Sequence, residues 1–140
     1  MFTPRNPAAA YAQVGVDVGV DIADPHRLIL MLFDGAMLCV TKAQAHMELG
    51  QIAEKGQNIS QAINIIANGL RVSLDMEAGG DLAEKLASLY DYMVVRLLHA
   101  NMHNQLPPLA EVSKLLAELK EAWEQIAPSA DHAPAMADAA

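Results

Sequence analysis

The sequence predicts an all-α protein: an antiparallel up-down-up-down four-helix bundle with an extended N-terminal segment. Three observations lead there. Apolar residues make up 53% of the 140 residues but aromatic ones only 4%, so the core must be built from Leu, Ile, Val, Ala and Met. That mixture suits helix packing better than a β-sandwich. Four successive segments repeat apolar residues at i, i+3, i+4 and i+7, the spacing of one helical face. Short Gly- or Pro-containing breaks separate them, and short connections make neighbouring helices antiparallel.

The first segment opens at Asp24-Pro25. Asp is a good N-cap, and Pro suits the first helical position because its missing N–H had no partner there anyway. The segment runs to about Leu49 and stops at Gly50, with Ile29, Leu32, Phe33, Ala36, Val40, Ala43 and Met47 as one stripe. A second stripe, Leu28, Met31, Gly35 and Leu38, makes its first half apolar nearly all round. The second segment is expected from Ile52 to Met76, on Ile59, Ile63, Ile66, Leu70 and Leu74, with Ile65, Val72 and Met76 off to one side. Gly79-Gly80 breaks the chain, and Asp75 beside it is expected to bond loop donors as the helix ends. The third segment carries Leu82, Leu86, Leu89, Met93 and Leu97, with Tyr90, Val94 and Leu98 widening the stripe. Pro107-Pro108 opens the fourth, on Leu109, Val112, Leu116, Leu119, Trp123 and Ile126. At about 1.5 Å per residue, each helix of roughly 20 to 25 residues is roughly 30 to 37 Å long.

Two ends flank this core. Residues 14–22 read VGVDVGVDI, the alternation of a strand with one buried face. A single strand cannot satisfy its own backbone groups, so this stretch is expected to lie against the bundle. The chain thus divides into an extended, partly mobile segment over 1–23, the bundle over 24–127, and a small, acidic, disordered tail over 128–140.

Charge and motifs narrow the function. Net charge is −8 and the pI about 4.9, the wrong sign for tracking phosphates, so nucleic acid is not an expected partner. The N-terminus lacks a secretory h-region, and no stretch approaches about 18 uninterrupted apolar residues. A soluble cytoplasmic protein without direct membrane insertion is expected. Cys39 is the only cysteine, which excludes an internal disulfide and a Cys-x-x-Cys-His haem site. No Glu-x-x-His of a di-metal bundle occurs. His99 and His103 stand four apart, but no third ligand is evident. No phosphate loop or nucleophile elbow is present either. The sequence therefore points to no cofactor, no resident metal and no catalysis.

What it leaves over is apolar surface: two stripes on the first helix, more than one on the second, and eight methionines. Met31 and Met76 lie off the main stripes, and adaptable binding surfaces use methionine. A bundle with surplus apolar surface hides it in an oligomer, under a partner helix, or beneath its own terminal segment.

Several pieces carry a resemblance: AYAQVGVDVGVDIADPHRLILMLFDGA, SLDMEAGGDLAEKLASLYDYM, RLLHAN and LKEAW. Together, over about residues 10 to 127, they resemble the bacterial flagellar secretion chaperone family, FliS. Most members have Tyr where Phe33 stands, and Ser or Thr where Asp24 caps the first helix. The resemblance implies an all-helical cytoplasmic chaperone that uses no nucleotide. It binds the C-terminal segment of newly made flagellin, prevents premature polymerisation, and docks at a component of the flagellar export gate.

On that reading the partner-binding candidates are Leu28, Met31 and Leu32, with Asp34 and Gly35 from the family motif. Ile65, Asn68, Val72 and Met76 join them from the second helix, and Tyr90 and Tyr92 as hydroxyls for client backbone. Tyr11 would anchor residues 11–22 as a detachable cover over the groove, or as a permanent arm. A monomer or weak homodimer is expected. The alternatives are a self-associating bundle with a structural or regulatory role in the flagellar system, and a metal-binding bundle using His99 and His103.

Overall fold

The computed structural model describes residues 24–126. The segment expected over 1–23, Tyr11 included, and the tail over 128–140 lie outside the described residues. Four helices follow one another: α1 (Pro25–Glu48), α2 (Ile52–Ile65), α3 (Met76–His103) and α4 (Leu106–Glu124). No strand occurs among the described residues.

The helices form a ring. α1 packs between α2 and α4, α3 also packs between them, and α1 and α3 stand diagonally opposite. Alanines at the crossings, Ala36, Ala43, Ala62 and Ala100, are fully buried and let the backbones approach. Phe33, Val40, Ile59, Ile66, Met93, Leu97, Leu109 and Leu116 fill the space between. Each such aliphatic or aromatic side chain contributes about 1.5–3 kcal/mol when removed from water. α1 is long and apolar enough to cross a membrane by length and composition. In the bundle one of its faces is core, and Asp34 and Lys42 interrupt the other.

Two polar joints tie the ends of the bundle. At one, the first turn of α1 meets the last turn of α4. The His26 ring donates from Nε2 to the Trp123 carbonyl at 2.9 Å, and the Trp123 indole donates back to the His26 carbonyl at 2.8 Å. The two rings stack with centroids 5.0 Å apart. At the other end the buried Lys55 ammonium donates to the Asn101 carbonyl and to Asn104 Oδ1, both at 3.1 Å. A helix end leaves carbonyls without intrahelical partners and carries partial negative charge, and a cation meets both needs. Asn104 ends α3 in the left-handed conformation, which Asn tolerates better than most residues.

The α2–α3 connection corrects the sequence reading. α2 does not continue to Met76. It loosens into a π turn over Ile66–Leu70, in which Arg71 N–H reaches back to the Ile66 carbonyl. Ser73 Oγ then donates to the Gly69 carbonyl at 2.6 Å and helps close the end. Asp75 starts a helix instead of ending one: its carboxylate accepts from the Glu77 and Ala78 N–H groups as the N-cap of α3. Val72 therefore lies in a turn, and Met76 is the first residue of α3. The glycine break itself is where the sequence put it. Gly80, at φ 50° and ψ −128°, separates the first turn of α3 from the rest, a conformation Cβ-bearing residues avoid.

Candidate functional site

The second stripe of α1 forms one side of a candidate docking face. Helical spacing sets Leu28, Met31, Gly35 and Leu38 on one face. Leu28 and Met31 are half-buried, and Leu38 is 54% exposed. The other side is the C-terminal half of α2. Gly35 marks where the two helices meet: a Cβ added there would sit 3.4 Å from Ile65 Cδ1. Ile65 thus packs directly over the Gly35 backbone, with room for a methyl in ordinary contact.

The candidate residues divide by environment. Leu32, Ile65 and Tyr90 are core residues. Tyr90 accordingly does not offer its hydroxyl at the surface, because its place on α3 faces the bundle interior, and burial raises its pKa above the ordinary tyrosine value. Asn68 is exposed on the π turn, where its side chain donates to Asn64 Oδ1 at 2.7 Å. Val72 and Met76 are each 47% exposed. Asp34 lies toward α4, paired with Lys120 at 2.6 Å. The hydrogen bond that Lys120 donates to Asp34, then the Asp34 charge, raise the Lys120 pKa. Tyr92 is exposed but engaged with α4, its hydroxyl donating to Glu111 Oε2 at 2.6 Å while Arg96 holds Oε1 at 2.7 Å. The Tyr92 hydrogen bond, then that of Arg96, lower the Glu111 pKa. Thus the structure brings the α1 stripe and Ile65 together, and it sets Tyr90 in the core and Tyr92 on the α3–α4 seam.

The family described as Flagellar protein FliS matches residues 7–130. The chain belongs to this family. Curated relatives agree with the assignment. The flagellar secretion chaperone FliS of Salmonella typhimurium is 50% identical over 121 residues, 86% of this chain and 90% of the relative. That of Escherichia coli is 44% identical, covering 83% of this chain and 85% of the relative. Flagellar secretion chaperone FliSB of Pseudomonas aeruginosa is 47% identical, covering 83% and 91%.

One apolar surface lies outside the core stripe, although the sequence reading put Leu98 beside that stripe. On α3, Val95, Leu98 and Met102 are 61%, 50% and 77% exposed. Their i, i+3, i+7 spacing puts them on one outward face. That spacing was visible in the sequence, but the stronger core stripe of the same helix masked it. Cys39 on α1 is half-buried, and burial raises its thiol pKa, which fits a packing role and not a reactive one.

Proposed function

We propose that this chain is a cytoplasmic flagellar secretion chaperone that holds the disordered C-terminal segment of flagellin against the α1–α2 face. The observation that carries this reading is family membership over residues 7–130, joined to an α1 stripe left partly uncovered by the bundle. The client is amphipathic and would otherwise bury its apolar face in neighbouring flagellins. Leu28, Met31 and Leu38 offer a substitute surface, with Val72 and Met76 extending it past the π turn. Leu32 and Ile65 support that surface from the core.

Ordering such a client costs roughly 2–5 kcal/mol. Burial at roughly 25 cal/mol per Å² of apolar surface offsets it, before the other costs of association. Such docking needs no catalysis or cofactor. It prevents premature polymerisation and keeps the client competent for export through a gate component. Residues 11–22, anchored by Tyr11, act as a detachable cover of that face in the free protein, which is a monomer or weak homodimer.

Calorimetric titration of a flagellin C-terminal peptide into the full chain tests the reading. One-to-one binding is the expected result, and no heat at any concentration would overturn it. Deleting residues 1–22 tests the cover: binding should be unchanged or tighter, and the free protein should adsorb more to apolar resin. Loss of folding would identify a permanent arm. Solution mass with and without the peptide distinguishes client binding from self-association through the α3 face.

A further inference from the structure

We propose that His99 and His103 form a chelating site for a borderline divalent transition-metal ion, Zn²⁺, Ni²⁺ or Cu²⁺, on the last turns of α3. The site stands apart from the α1–α2 face and does not depend on a client. The two residues are one helical turn apart, so their side chains rise from the same face. Their ring centroids are 4.4 Å apart and the rings are tilted by 46°. Two imidazole nitrogens at about 2.0–2.1 Å from one ion stand about 3 Å apart.

The surroundings favour a cation. His99 Nε2 is 3.2 Å from Gln105 Oε1. The Gln105 side chain is a polar partner for the ring. An outer partner of this kind is what orients metal-binding histidines. The basic group nearby, Lys55, is buried against Asn101 and Asn104.

Chemistry sets the class of ion. Imidazole suits zinc, copper and nickel, whereas magnesium and calcium prefer oxygen ligands. Among the described residues no group of three or more potential ligands occurs. The site is therefore an open chelate with water in the remaining positions, exchangeable and unlike a closed structural zinc centre.

Nickel titration of the full, tag-free chain tests this, read by NMR of the imidazole nitrogens of its five histidines. Paramagnetic Ni²⁺ at less than one equivalent should broaden His99 and His103 first and together. Equilibrium dialysis should show one ion per chain. His99→Gln or His103→Gln should each weaken binding at least tenfold and leave the circular dichroism unchanged. Mg²⁺ should bind nowhere near the pair. The proposal is overturned by absence of saturable Ni²⁺ binding, by earlier broadening of another histidine, or by affinity that survives the double substitution.

Discussion

The two apolar faces of α1 are made of similar residues and meet different fates. On one, Phe33, Ala36, Val40 and Ala43 are completely buried. On the other, one to three positions round the same helix, Met31 is half-buried and Leu38 largely exposed. Residue type does not separate them. What does is whether the bundle supplies a neighbour. Alanine spacing lets α2 and α4 close over the first face, while beside the second α2 ends in a π turn and a capped loop. The first face is a stability element, and the second is left partly uncovered by the bundle.

Substitutions on the two faces should therefore separate stability from binding. Phe33→Ala, wholly inside the core, should cost about 3–5 kcal/mol in urea unfolding. A loss below about 1 kcal/mol would show that the core face is not tightly packed. Trp123→Phe keeps a ring against His26 but removes the indole donor, and should cost about 1–3 kcal/mol. Gly35→Ala sits on the docking face, inside a helix, where Ala is better than Gly by about 0.5–1 kcal/mol. With the added methyl in ordinary contact with Ile65, it should raise stability while adding bulk to that face. The urea midpoint and the client titration should then move in opposite senses.

The smallest effect belongs to the exposed α3–α4 seam. Glu111→Gln should cost less than about 1 kcal/mol at neutral pH, as partly exposed ion pairs do. Because Tyr92 and Arg96 lower the Glu111 pKa, its contribution is present above the unfolded carboxyl pKa. It is lost as pH falls through the lowered folded value. Stability-against-pH curves of the wild type and Glu111→Gln should converge on acidification.

Much of this was legible in the residues. The four helices, the core stripes of α1 and α4, the Asp24 cap and the break at Gly80 follow from periodicity and terminus chemistry. The end of α2 did not. The apolar spacing through Ile66, Leu70 and Leu74 continues as if helical, and only backbone bonds show the π turn at Ile66–Leu70. Asp75 was seen as a capping side chain but credited to the wrong helix, because a cap binds donors that follow it and a stripe cannot say where those begin. The sequence offers both Tyr90 and Tyr92 as hydroxyls for a client, and sets only Tyr90 beside the core stripe. Two residues apart on a helix they point about 200° apart, one into the core and one onto Glu111.

The central claim is that the second face of α1 serves a client and not the fold. Met31→Glu tests it most directly, by calorimetric titration of the flagellin C-terminal peptide alongside circular dichroism. An intact helical signal with at least tenfold weaker binding, about 1.4 kcal/mol, is the predicted result. Unchanged affinity in a folded Met31→Glu protein would contradict the account.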